Sequence, residues 1–426
     1  QSGDARSNDG LLLIDHYGQP TKALDVFLRA YERNKDNPNP NNFIPRLLRL
    51  GARTWEMVPY EVWVAKSHPQ FGLLTPKRLY ELSLGHSLHT DQKRIEELKE
   101  TAPDDPIVRL GMADIAMYYN RYDEAEKHYR FVIETHPAIL EAHVRLGQLY
   151  IQSHRPEKIV EWNAQLPPEA DTHPLTWAVR GQWADEQGQR QAAIRCYWES
   201  AHLDPTHLPA VYRLGQLLSA EGNAEDAGRF LERARMLEEY LASTHAMNVL
   251  RDEGALPDVR KPLYAAGLAM QLGLMAEAYD WIALALQLDG NVPDAKELHE
   301  RLGKALEKMP EQRTAPDPRV DPTLAVNLSS YPLPDWSAER VSPSAPGDAP
   351  TAQVTFEDVA QAVGIDFEYF EGGNPEIHGL TRVYRFNGGG AAVIDYDCDG
   401  WPDIYLTQVS ETPQDVDQAD YLDRLY

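Results

Sequence analysis

Small, bulky and helix-breaking residues recur along this chain with a period much longer than that of a helix or a strand. Steps of 34 residues from Pro69 reach Pro103, Pro137, Asp171 and Pro205. From Gly147 they reach Gly181 and Gly215; from Ala125, Ile159, Ala193 and Ala227; from Tyr129, Asn163, Tyr197 and Leu231. Four independent positions in one phase mark an array of repeats, each burying its apolar face only against its neighbours. Within each period a polar residue or a glycine stands at the expected turn, at Asn120, His154, Gly188 and Gly222. Each unit is therefore expected to be two helices joined by that turn, with the proline ending the second because it cannot continue the hydrogen bonding.

Spacing and residue pattern resemble those of the tetratricopeptide repeat over most of the chain. The glycines then sit where the first helix meets the second, Ala125, Ala193 and Ala227 face them, and Tyr129 and Tyr197 supply bulk between neighbours. The clearest units are 72–241, comprising 72–105, 106–139, 140–173, 174–207 and 208–241. Residues 4–37 also fit the phase, whereas 38–71 is expected to be degenerate because Pro45 and Pro59 fall where helix should be. The phase slips after 241, with an extra helix expected near 236–251. It returns over 259–292, and an amphipathic helix at 294–308 is expected to cap a solenoid spanning 1–309.

The resemblance implies a groove lined by the first helices, with Asp114, Tyr118, Gln148, Gln152, Gln182, Asp185, Glu186, Tyr212 and Gln216 on it. These residues are polar, acidic and aromatic, and no set of Lys, Arg and Asn suited to an acidic tail is found among them. A neutral or basic extended peptide is the expected partner; a merely solvated helix face is the competing reading. His143, Trp162, Trp177, Trp183 and Trp198 are read as packing, and Cys196 as a small buried hydrophobe.

Residues 310–350 hold nine prolines and read as an extended linker. Beyond 351 the period drops to two, at Val354, Phe356, Ile365, Phe367 and Tyr369. Two apolar strands, 391–394 and 404–407, are expected to flank a loop carrying Asp395, Asp397, Asp399 and Asp403. Alternate aspartates around Gly400 supply the hard oxygen ligands that Ca²⁺ takes, and so many carboxylates in one loop repel one another without a cation. An Asp-rich turn without metal is the competing reading.

This segment, 351–426, resembles an FG-GAP (VCBS-like) repeat of integrin-type propellers, and more closely the cartilage acidic protein group that carries an ASPIC/UnbV domain. Val354-Thr355-Phe356-Glu357-Asp358-Val359 and Gly364-Ile365-Asp366-Phe367 are similar to that group's lead-in. The resemblance implies structural Ca²⁺ on Asp395, Asp397, Asp399 and Asp403, and a periplasmic or extracellular setting. Cys398 and the single repeat depart from the group's pattern, and the chain is read as a fragment. The expected fold class is mostly α: a tetratricopeptide-repeat helical solenoid followed by a short β segment, part of a propeller blade.

Charge narrows the function further. A net charge of −25 over 426 residues argues against nucleic acid as partner, because phosphates are neutralised by Lys and Arg. Two cysteines form no disulfide framework, and no apolar run approaches the ~20 residues of a membrane span. The opening Gln1-Ser2-Gly3-Asp4 has neither an initiator Met nor the features of a signal peptide, so an upstream start is expected. No nucleophile elbow, HExxH or Gly-rich phosphate loop is present. The reading is a non-enzymatic protein-interaction scaffold joined to a calcium-binding, adhesion-type segment. An assembly adaptor that uses only the helical groove is the alternative, and part of an enzyme whose catalytic region is missing ranks below it.

Overall fold

The computed structural model describes residues 10–14, 17–35, 37–67, 75–85, 90–309, 313–337, 360, 364–367, 390–394, 403–407 and 424–426. The chain divides into two compact units, Gln1–Ser342 and Pro343–Tyr426.

The first unit opens with α1 (10–14) and α2 (Pro20–Arg33), followed by α3 (Pro38–Leu50), α4 (Thr54–Ser67), α5 (Thr75–Leu84) and α6 (Gln92–Thr101). The regular stack is α7 (Pro106–Tyr118), α8 (Tyr122–Thr135), α9 (Leu140–Gln152), α10 (Pro156–Gln165), α11 (Pro174–Glu186), α12 (Arg190–Leu203), α13 (Leu208–Ala220) and α14 (Ala224–Asp252). It continues through α15 (Arg260–Gln271), α16 (Met275–Leu288) and α17 (Ala295–Leu306). Each helix of the pairs α7–α8, α11–α12, α13–α14 and α15–α16 packs chiefly on its partner, and α9 also packs on α11.

The expected turns are built alike. Asn120, His154, Gly188 and Gly222 all take positive φ, at 56°, 53°, 74° and 84°. This left-handed step ends the first helix of each pair, and Asn and Gly adopt it at the least cost. Small residues face bulky ones across each pair. A Cβ on Gly147 would lie 2.4 Å from the Trp162 ring, and one on Gly181 would lie 3.1 Å from the Tyr197 ring. The 34-residue step places Asn163 opposite Gly147, but Trp162 fills that space and donates its indole N–H to the His143 carbonyl at 2.7 Å. Trp177 and Trp198 likewise bond backbone carbonyls, so the aromatic residues are packing, as their spacing indicates. Cys196 is fully buried, and burial pushes its thiol up to about 12.

Four expectations for this unit are corrected. Residues 38–67 form a regular helix pair despite Pro45 and Pro59, which lie inside α3 and α4. Residues 72–105 do not form a stacked pair: α6 packs on α7, but α5 packs on α14 far along the chain. There is no separate helix near 236–251, because α14 runs unbroken for 29 residues. Finally, residues 313–337 are not a free linker but a strap seated on the stack, with a single helical turn, α18 (Pro322–Ala325).

The strap is held by buried polar groups as well as apolar ones. Arg313 donates to Glu277 and to Thr206, both at 2.8 Å. Arg233, only 1% exposed, donates to the carbonyls of Pro205, Leu272 and Val320. Further along, Val326 and Leu328 are buried, and the Trp198 indole donates to the Val326 carbonyl. Arg195 reaches the Ser329 carbonyl, and Gln189 exchanges two hydrogen bonds with the Asp335 backbone. Trp336 stacks on Trp183 with ring centroids 4.2 Å apart.

The second unit contains an antiparallel sheet of β1 (Ala391–Ile394), β2 (Asp403–Leu406) and β3 (Arg424–Leu425), in that order. Ala391 pairs with Leu406 and Ile394 with Asp403, so the two strands expected from the sequence form a hairpin. The strand expectations at 354–356 and 369 lie outside the described residues; at Ile365 and Phe367 the expectation is corrected, since neither is in a strand and the Ile365 N–H closes a local turn on the Ala360 carbonyl at 2.8 Å.

Candidate protein-binding surface

The residues assigned to the groove stand on α7, α9, α11 and α13, the first helices of successive units. The structure divides them into a covered group and an open one. Asp114 is 3% exposed and accepts the Thr90 N–H at 2.8 Å, so it is not open to a partner. The reason is tertiary: the turn after α3 folds onto this part of the face. A Cβ on Gly111 would lie 2.5 Å from the Leu50 carbonyl oxygen, which also accepts the Thr90 hydroxyl at 2.7 Å. Next along the face, Arg145 donates to the Ala52 carbonyl at 3.2 Å.

Arg145 organises a buried cluster. It pairs with Glu141 at 2.6 Å, and Glu141 also meets His173 at 3.2 Å. Arg145 also donates to Gln148, whose amide oxygen is thereby engaged. Burial opposes the charge on Arg145, but the carboxylates of Glu141 and Asp114 outweigh it and hold the guanidinium strongly protonated.

The open group lies farther along. Gln152, Gln182 and Glu186 are exposed, and Tyr118 and Tyr212 show 61% and 48% of their surface. Gln182 donates to Glu186 along its own helix. Arg213 ties neighbouring first helices together, donating to Asp185 at 2.7 Å and to Gln216 at 2.9 Å. That leaves two tyrosines, two amides and one carboxylate directed at solvent, a surface suited to hydrogen bonding and ring contact with an extended chain.

The groove reading missed Arg145 and Arg213. They stand two 34-residue steps apart, so the repeat phase alone could have paired them. Nothing periodic announces that Leu50 and Ala52 lie against the same face.

For the hairpin loop, Asp403 is described and begins β2 opposite Ile394. Asp395, Asp397 and Asp399 lie outside the described residues. The donor set suits a hard cation, since four carboxylates would supply oxygen ligands alone. Among the described residues no group of three or more His, Cys, Asp or Glu could hold a metal.

No family model matches this chain, and no curated protein matches it. Among solved structures, a crystal structure of the P58(IPK) TPR domain is similar at 15% identity. The match covers 72% of this chain and 98% of that one, with a TM-score of 0.20. The mostly helical, tetratricopeptide-like architecture rests on the pair packing and the repeated turns described above. No helix among the described residues is long and apolar enough to cross a membrane.

Proposed function

We propose that this chain is a non-enzymatic scaffold whose first-helix face binds an extended neutral or basic protein segment. The observation that carries the reading is the exposure of Tyr118 and Tyr212 on the first-helix face, with the half-exposed Tyr119 packed edge-on against Tyr118 at 5.1 Å. Gln152, Gln182 and Glu186 beside them offer hydrogen bonds to a peptide backbone or a basic side chain. The test is a screen of the full chain against a peptide array. Tyr118→Ala together with Tyr212→Ala should abolish the captured signal with the melting temperature unchanged. Capture that survives in this double variant would place the partner elsewhere.

The same proposal assigns structural Ca²⁺ to the Asp395, Asp397, Asp399 and Asp403 loop, and with it a periplasmic or extracellular setting of adhesion type. Support comes from the paired strands on either side of the loop and from its carboxylate-only donor set. Calorimetry on the full chain should give Ca²⁺ binding that Asp397→Ala with Asp399→Ala removes; unchanged binding in that variant rejects the site. If chelation leaves peptide capture unaltered, the assembly-adaptor reading, in which only the helices act, is preferred.

A further inference from the structure

The chain is strongly acidic, yet one cavity of about 320 Å³ between α3, α4 and α5 is lined by an excess of cations. Arg46 and Arg49 come from α3, Lys77 and Arg78 from α5; the lining carboxyls are Glu61 and Glu81. Glu81 is engaged by Arg49 and lies 3.7 Å from Lys77. Arg78 reaches through the floor to Asp280 of α16, and its side chain is 13% exposed. That ion pair uses one edge of the guanidinium. Its Nε and Nη1, like both oxygens of Asp280, are buried and have no hydrogen-bond partner among the described residues. Burial pushes the Glu61 carboxyl up and the Arg78 guanidinium down, and the charge of each partly offsets the shift of the other.

We propose that this cavity is a binding site for a small oxyanion carrying at least two negative charges. Arg46 and Lys77, both exposed, would close over the ligand from the rim, with Arg49 and the largely buried Arg78 adding positive charge to the lining. Guanidinium N–H groups in a fixed fork match phosphate and carboxylate oxygens, and a charge-assisted bond of this kind is about twice as strong as a neutral one. The volume lies near the lower end of small-molecule pockets, which suits a compact ligand. The site lies apart from the open tyrosine-bearing face, so its fate is independent of the scaffold proposal.

Calorimetry with the full chain tests it, using inorganic phosphate as probe and succinate in a parallel arm. Arg46→Gln with Lys77→Gln changes only exposed side chains and should keep the fold, which circular dichroism checks. One saturable phosphate or succinate site is expected, weakened about tenfold or more in the double variant as two charge-assisted bonds are lost. The tighter of the two probes identifies whether the natural group is a phosphate or a carboxylate. No saturable binding of either probe, or equal affinity in the folded double variant, overturns the proposal.

Discussion

The stack from α7 to α14 and the segments laid upon it, α3 to α5 and the strap 313–337, are built by different physics. In the stack, the fit is steric and repeats: Gly147 faces Trp162, Gly181 faces Tyr197, and Gly215 faces Leu231. The applied segments add to their apolar contacts buried charge and side chains that reach backbone carbonyls. Arg233, Arg313, Arg145 and Arg78 each join residues far apart in sequence. A repeat packs by volume because its neighbours are adjacent in sequence and fixed in register. A segment returning from a distance has no such register, and directional polar bonds supply it. Such bonds act as anchors only while complete, since a buried charge that loses its partner costs several kcal/mol.

The largest effect is expected where both kinds of packing meet. Arg233→Met should leave three carbonyls without their donor and remove a cation from beside Asp204 and Asp321, lowering stability by about 3–5 kcal/mol in urea denaturation. A loss below about 1 kcal/mol would mean that the strap does not depend on this anchor.

Gly147→Ala probes the steric half. Its Cβ would meet a tryptophan ring with little room to move, so a cost of about 1–3 kcal/mol is expected. Gly188→Ala should cost less, about 1 kcal/mol, since only its left-handed backbone is at stake and nothing lies within 4 Å. Equal losses at the two sites would remove the steric argument.

Trp336→Ala should release the end of the strap and spare the stack, at about 1 kcal/mol for the lost ring pair. Hydrogen exchange is the measurement: amides over 326–337 should exchange faster while those of α11 and α12 keep their protection. Uniform loss of protection would show that strap and stack unfold as one.

The smallest effect is a pH dependence within the stack. Burial and the Arg109 guanidinium lower the His128 pKa from 6.5 to about 4, and Arg109 donates to its Nδ1 at 3.2 Å. The unfolded chain binds the proton more tightly, so this contribution is whole above about pH 6.5 and is lost as pH falls through about 4. His128→Gln should therefore lose less stability than the wild type between pH 7 and pH 4.5.

Much of the architecture was legible in the residues. The 34-residue phase gave the helix pairs of 106–241, and the apolar runs beside the Asp-rich loop gave the hairpin strands, expected at 391–394 and 404–407 and found at Ala391–Ile394 and Asp403–Leu406. Pro45 and Pro59 misled because tertiary packing held their helices together against a local penalty. Of the groove residues, Gln152, Gln182, Glu186, Tyr118 and Tyr212 are open as their phase indicates, whereas Asp114 is covered.

What the sequence determined by itself was whatever repeats or is local: pair packing, the turns at Asn120, His154, Gly188 and Gly222, and the two strands of the hairpin. A periodic pattern is a statement about neighbours, and each unit meets its neighbours at a fixed distance along the chain. Only the tertiary structure decided which part of the first-helix face stays open, where residues 313–337 lie, and that Arg46, Arg49, Lys77 and Arg78 converge on one cavity. Those contacts join residues separated by tens to hundreds of positions, and their partners carry no shared period, so no spacing along the chain could announce them.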